Sequence, residues 1–510
     1  MEYEQKTETW VLAATILASS MAFIDGTALN VAMPAIQAAL RANGTQLLWV
    51  VNSYLLILAA LILVGGSLGD RFGRKKVFGV GIVLFTAASC ACGLAPSIGA
   101  LIAARAVQGV GGALMVPGSL SLIAASIAPE RRGRAIGTWS AATTLVTLVG
   151  PALGGLLSDL GIWRAVFLIN LPLGLSALAV LVSRVPESRD ESVEGPIDFI
   201  GAALAVVALA SLTYGFIEAP GFGFGSFRVI LALAIGVLIG IAFILVERRC
   251  EFPMLPLRLF SSRAFSGANA LTVLLYGALS AASFFLSLNL VQAQGYSKTE
   301  AGLASLPSAL ILTFLSRPAG ALADRRGPRL FLTLGPVLVG LGFLALSFTG
   351  ITRGPAAYWT SFFPGILLFG LGMGLTVAPL TSTVMGAQSP RFSGVASGIN
   401  NAVARGAGAL AIAILGSVAL FAFASILGSS KAAIGLDASS RAALLSGSRD
   451  LGATLPPSGL PESAQTAVRA AIASSFAGAY RLVLLSCSAL AFGAAAIAVT
   501  VIKGPRSTFR

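Results

Sequence analysis

Gly66-Ser-Leu-Gly-Asp70-Arg71-Phe-Gly73-Arg74-Lys75-Lys76 returns later in the chain as Gly320-Ala-Leu-Ala-Asp324-Arg325-Arg326-Gly327-Pro-Arg329. Gly66/Gly320, Leu68/Leu322, Asp70/Asp324, Arg71/Arg325 and Gly73/Gly327 coincide at an offset of 254. A second recurrence, Pro129, Gly133 and Gly137 against Pro390, Gly394 and Gly398, has an offset of 261. Two patterns recurring at nearly one offset predict two homologous halves. These run from about 1–183 and 264–502, with an insertion at 184–263 and a tail at 503–510.

What surrounds the repeat is apolar. Of 510 residues, 56% are hydrophobic and 11% charged, against about 25% charge in a typical soluble protein. Mean hydropathy is +0.89. A bilayer core takes about 20 apolar residues as a helix. Charges and Pro/Gly clusters cut the chain into fourteen such runs, near 10–32, 46–68, 77–95, 99–123, 133–158, 163–183, 197–217, 228–246, 264–291, 301–322, 330–349, 358–386, 394–424 and 478–502. The acidic start MEYEQKTETW lacks the basic region of a cleaved signal, so the first run is expected to stay. Lys and Arg are retained on the cytoplasmic side. With the N-terminus inside, alternate segments hold 22 basic residues and the short outer loops five. Both termini are therefore expected in the cytoplasm, in a multi-pass protein of the cytoplasmic (inner) membrane. The long segment 425–477 then faces outward, as a mobile tether or as a lid; its Ala-rich part 462–477 has the composition of an amphipathic helix.

Absences exclude several functions. There is no His, hence no imidazole metal site or Ser-His-Asp triad. Cys90, Cys92, Cys250 and Cys487 have no disulfide or metal spacing and read as packing residues. No lysine follows a glycine, so a P-loop is absent. No metal, cofactor or nucleic-acid partner is expected, and no catalytic residue; a membrane hydrolase would need a second deep acid or a base.

Six-span parallel halves are the plan of major facilitator transporters, and the motifs resemble that superfamily closely. The Gly66–Lys76 stretch resembles its cytoplasmic-loop signature, here in both halves. Phe23-Ile-Asp25-Gly-Thr27-Ala-Leu-Asn30-Val-Ala-Met-Pro34 resembles the first-span signature of the fourteen-span drug:proton antiporters. Arg105-Ala-Val-Gln108-Gly109-Val-Gly111 resembles the fourth-span motif, and Gly150-Pro151-Ala-Leu-Gly154-Gly155 the fifth-span antiporter motif. Trp163-Arg164-Ala-Val-Phe167-Leu-Ile-Asn170-Leu-Pro172 is similar to the sixth-span entry, with Ala165 in place of its second Trp. The resemblance implies an all-α polytopic membrane protein of the major facilitator fold: two pseudo-symmetric six-helix bundles plus two extra spans, fourteen transmembrane helices in all. It implies a proton-coupled antiporter exporting lipophilic or cationic drugs, or amphiphilic metabolites, by alternating access. A facilitator, importer or lipid transporter on the same fold is the alternative. The partners are then a lipophilic small molecule, protons and the bilayer, with the chain working as a monomer and a periplasmic adaptor left open.

The residues give these expectations a physical basis. Gly66, Asp70, Arg71, Gly73 and Arg74, with Gly320, Asp324, Arg325 and Gly327, read as a latch that holds the outward-facing state, or as a topological anchor. Gly73 and Gly327 permit tight turns. In the fifth span Pro151 removes a backbone hydrogen bond, while Gly150, Gly154 and Gly155 let another helix approach; the resemblance makes this an antiporter hinge. Of twenty acids only Asp25 falls deep in a span, where a carboxylate is by default functional. It lies 15 residues after Trp10, about 22 Å along an outgoing helix. Arg105 lies six residues after Gly99, about 9 Å along an incoming one. In a ~30 Å core these depths nearly coincide, so the two are expected to pair and to couple protons, with Glu218 as the next candidate. Asn30, Asn269, Tyr276, Asn289, Asn400, Asn401 and Arg405 either line the substrate cavity or join helices. A single deep acid suggests a neutral or monocationic substrate.

Overall fold

Apolar side chains satisfy the bilayer, but backbone N–H and C=O groups do not, so a membrane chain must bond them internally. The computed structural model describes residues 2–189, 195–388 and 392–502; Pro390 and the tail 503–510 lie outside them. Among the described residues there are helices and no strands. Fourteen helices are long and apolar enough to cross a membrane: α1 Thr7–Leu40, α2 Gly44–Phe72, α3 Arg74–Gly93, α4 Ile98–Ser126, α5 Glu130–Asp159, α6 Ala165–Arg184, α7 Phe199–Phe222, α8 Phe227–Arg249, α9 Arg263–Gln292, α10 Lys298–Arg326, α11 Arg329–Ser347, α12 Phe363–Gly386, α13 Gly394–Gly428 and α14 Glu462–Val501. Each corresponds to one apolar run.

Local chemistry sets their ends. Asn43 and Ser297 close capping boxes with Gln46 and Glu300, satisfying helix N–H groups that have no intrahelical partner. Gly73 and Gly327, equivalent in the repeat, both turn at positive φ (+111° and +86°), which only glycine adopts cheaply.

The repeat extends to the packing. In the first half α1 packs on α4, α5 and α6, α2 on α4, and α3 on α4 and α6. In the second, α9 packs on α12, α13 and α14, α10 on α12, and α11 on α12 and α14. Each pairing recurs with its equivalent. The halves meet along two seams, α2 against α13 and α5 against the first turn of α10. The inserted helices α7 and α8 pack on each other, and α7 also lies on both α2 and α13. It covers one seam only.

The two faces of the molecule differ. On the face opposite the basic loops the halves are in backbone contact. A Cβ added at Gly155 would lie 2.3 Å from the Lys298 carbonyl oxygen, and one at Gly302 2.3 Å from that of Pro151. Asp159 at the end of α5 accepts from the Lys298 N–H (3.1 Å), Lys298 Nζ (3.3 Å), the Thr299 N–H (2.8 Å) and Thr299 Oγ1 (2.7 Å). Gln292 Nε2 donates to Gln37 Oε1 (2.7 Å), joining α9 to α1. On the basic face the ends of α5 and α13 are open: a Cβ on Gly133, Gly137 or Gly394 would meet nothing within 4 Å. The halves are thus in backbone contact on one face, while these glycines are open on the other.

The outer segment differs from the sequence expectation. Residues 425–428 end α13 and 462–477 begin the continuous 40-residue α14, which shortens the loop to 429–461. That loop is docked, with Leu444 and Leu451 buried. Gln37 Nε2 donates to the Asp450 carbonyl (3.0 Å) and Arg449 Nη2 to that of Gly221 (3.1 Å). Burial pushes the Asp450 carboxyl above its ordinary range. Hydrogen bonds from Ser439 and Ser440 hold that of Asp437 well below it.

Gly155→Ala puts a methyl group where the Lys298 carbonyl sits, at an overpacking cost of about 1–3 kcal/mol. The substitution is expected to part the closed face. In a background without native cysteines, an Asn30→Cys probe should then react faster with an impermeant maleimide added from that face. Unchanged labelling would show that closure does not need the glycine.

Candidate functional site

Asp25 on α1 and Arg105 on α4 meet in the first half, 0% and 1% exposed, with Arg105 Nη1 2.6 Å from Asp25 Oδ2. The depths read from sequence therefore describe a real contact. The same nitrogen donates to Gln108 Oε1 (2.7 Å), and Gln108 Nε2 donates to Asp25 Oδ1 (3.0 Å). Arg105 Nε donates to the Val50 carbonyl of α2 (3.2 Å). Its guanidinium lies 4.3 Å from the centre of the Tyr54 ring. Both carboxylate oxygens are thus occupied, and the cation has a second helix and an aromatic face around it.

The turn bearing Asp25 has two other functions. Gly26 is exposed with open space beside it, and Asn30, one turn on, is half-buried. With Gln37 they form the stripe of α1 that faces the other half. Thr27 and Ala28 face α5. Cβ atoms on Gly150 and Gly154 would fall 2.0 Å from Thr27 Oγ1 and 2.3 Å from the Ala28 carbonyl oxygen. Gly155 is in contact with α10 (above), so the antiporter motif touches the Asp25 turn on one side and the opposite half on the other.

The second-half residues fall into three groups. Asn400 Nδ2 donates to Asn269 Oδ1 (3.1 Å) and Thr272 Oγ1 (2.7 Å), so these asparagines join α13 to α9. Asn289 is fully buried and its amide atoms have no partner; it is enclosed within α9's packing. Tyr276 is half-buried on α9. Asn401 is exposed and Arg405 half-buried, with Nε enclosed and unpartnered. Glu218 accepts from Trp49 Nε1 (3.0 Å) at the outer end of α7, away from the central pair.

The two loop signatures are not equivalent in this state. Asp70 pairs with Arg74 (2.7 Å), and Arg71 donates to the Gly195 carbonyl. Glu187, after α6, accepts from the Lys75 and Lys76 N–H groups (2.9 and 3.2 Å). Asp324 and Arg325 are exposed. Among the described residues no ion pair joins the two signatures. Gly66 and Gly320 let α2 and α10 approach α4 and α12, with added Cβ atoms 3.8 Å from Pro117 and 3.1 Å from Ala378.

Sequence reasoning missed Gln108, Tyr54 and Asp159 as site residues. Gln108 was legible: it follows Arg105 by three residues and shares its helix face. Tyr54 had no sequence signal, because its place depends on how α2 crosses α4. Asp159 stood out only as an acid at a helix end.

Arg105→Leu leaves a buried carboxylate without its cation, a loss of about 3–5 kcal/mol. Asp25→Asn combined with Arg105→Leu removes both charges, and is expected to recover much of that stability in a thermal melt of the purified protein. Additive losses would mean that the pair is not coupled.

The profile of the Major Facilitator Superfamily matches residues 15–413. The tetracenomycin C resistance and export protein of Streptomyces glaucescens is 31% identical, covering 96% of this chain and 90% of that protein. The multidrug resistance protein Stp of Mycobacterium tuberculosis is 35% identical over 81% of this chain and 76% of its own. Among solved structures, a bacterial homolog of the human lysosomal transporter Spinster, inward-facing and unoccupied, superposes with a TM-score of 0.61 at 17% identity, covering 98% and 99% of the two chains. An auto-inhibited POT family peptide transporter gives 0.63 at 14% identity, covering 99% and 98%. With a family match over most of its length, an export protein related across nearly the whole chain and the fold of solved transporters, this chain belongs to the Major Facilitator Superfamily.

Proposed function

We propose that the protein is a proton-coupled antiporter that exports lipophilic small molecules across the cytoplasmic membrane by alternating access. The observation that carries this reading is the sealed Asp25–Arg105–Gln108 cluster one turn from the antiporter glycines. Burial favours the neutral form of a carboxyl group and an adjacent cation favours the charged form, so a proton on Asp25 competes with Arg105. Losing the ion pair frees α1 to shift against α4. Thr27 and Ala28 carry that shift to α5, whose Gly155 closes the outer face. The resistance and export roles named for the relatives support efflux as the direction.

On this reading both termini and the open face lie in the cytoplasm, which the bias of basic residues toward alternate loops supports. The cavity then receives substrate from inside, with the outer gate closed. The two loop signatures would meet when the halves rock the other way, which explains why Asp324 is unpaired in this state. The chain carries out the cycle as a monomer.

Asp25→Asn mimics the protonated carboxyl and cannot cycle its charge. It is expected to leave a folded protein while abolishing substrate-driven proton movement in proteoliposomes; retained proton-coupled accumulation would overturn Asp25 as the carrier. Asp70→Asn removes a conformational contact and no substrate contact. It should slow transport more than it lowers protein abundance, and an equal loss of both would favour a mere anchor.

A further inference from the structure

We propose that the central cavity takes an anionic amphiphile, and that Arg405 holds its acidic group. The proposal rests on the export reading above and names the substrate class of that site. It departs from the neutral or cationic substrate suggested by a single deep acid.

The direction of Arg405 follows from its helix. At about 100° per residue, α13 turns Gly398 and Gly416 toward α2, where added Cβ atoms would lie 3.3 Å from Leu63 and 2.6 Å from Leu48. Another arc faces α9: Asn400 bonds Thr272, and a Cβ on Gly408 would lie 2.6 Å from Ser280 Oγ. Asn401 and Arg405 occupy the arc between these two, the side facing the space between the halves. Their accessibility agrees, Asn401 being exposed and Arg405 half-buried.

The charge there is uncompensated. Among the described residues no carboxylate pairs with Arg405. Asp25 is not available, since Arg105 and Gln108 occupy both its oxygens. The three deep charges therefore sum to +1. On the neighbouring helix α2, Tyr54 Oη is likewise buried without a hydrogen-bond partner. An arginine N–H and a phenol O–H are both donors. A free guanidinium with an unfilled N–H of its own, and an unfilled phenol donor on the next helix, suit a carboxylate, sulfonate or ionised phenol. A cationic substrate would face Arg405 and leave both donors unfilled. The Asp25 pair is sealed, so proton site and substrate anchor are separate groups.

Fluorescein and rhodamine 123 share a xanthene frame and differ in charge, anionic against cationic. Binding of each to the purified full-length protein is read by fluorescence polarisation, and transport in proteoliposomes under an imposed pH gradient. The wild type is expected to bind fluorescein in preference to rhodamine 123. Arg405→Gln should weaken fluorescein binding about tenfold to a hundredfold, as expected for a lost charge-assisted contact, and leave rhodamine 123 binding unchanged or improved. Arg405→Lys, which keeps the charge, should restore part of the loss and controls for folding. Preference for rhodamine 123, binding of neither dye, or an unchanged ratio in Arg405→Gln overturns the proposal. Fluorescein bound but never moved by the gradient would instead overturn the antiport reading and leave the anion site standing.

Discussion

The Asp25–Arg105 ion pair is the contact on which the central architecture turns. It fixes α1 to α4, and through the Val50 carbonyl and the Tyr54 ring it fixes α4 to α2. Within the same turn of α1, Thr27 and Ala28 rest on glycines of α5. A helix shift of even one ångström at Asp25 cannot be absorbed there, because Gly150 and Gly154 leave no side-chain atoms to yield. The next glycine, Gly155, lies on the backbone of the other half. Charge and closure are therefore separated only by the short Thr27 side chain and by backbone contacts at Ala28 and Gly155, which is how a small displacement becomes a change between two packed arrangements.

The pseudo-symmetry of the halves is broken where the insertion docks. The α2–α13 seam and the α5–α10 seam are equivalents under the repeat, yet α7 covers only the first. Trp49 on α2 and Glu218 on α7 are hydrogen-bonded there, and Phe224 stacks on Phe421 of α13 (5.5 Å). One inserted helix thus touches both halves along one seam, and α8, packed mainly on α7, presents most of its surface outward. The outer loop adds to this side through the Arg449 bond to Gly221. Under the proposed alternation, movement at the covered seam would carry α7 along, whereas α5 and α10 would separate without such a passenger.

The fold was legible because its determinants are local or periodic. Apolar runs located every span, glycines at positive φ marked the repeated turns, and the offset between Asp70 and Asp324 announced the halves. The site was legible only where depth could be counted along a straight helix, as for Asp25 and Arg105. Orientation about the helix axis was not. Asn400 and Asn401 are adjacent in sequence, yet one ties α13 to α9 and the other is exposed. Their roles diverge by 100° of rotation, which composition does not encode. Whether the outer loop docks was not legible for a related reason. A tether and a lid were both compatible with its composition, because docking depends on distant partners such as Gln37 and Gly221.

Stability alone does not account for the buried charges. A buried ion pair recovers in Coulomb attraction roughly what its desolvation costs, and apolar side chains of similar volume are often as stable or better. A transporter core could have been filled with leucine, as the lipid-facing surfaces are. Here the pair needs Gln108, the Val50 carbonyl and the Tyr54 ring to be tolerated, and each of those groups is then unavailable for simpler packing. Arg405 has less support still, with an enclosed Nε that no protein group satisfies. Such arrangements persist when the charge is needed in one state and relieved in another. On the proposed reading, a sealed pair that would lose its charge to a proton and an open cation that would be neutralised by a ligand meet that condition with two groups instead of one. Each group then carries its own cost only in the part of the cycle where its partner is absent.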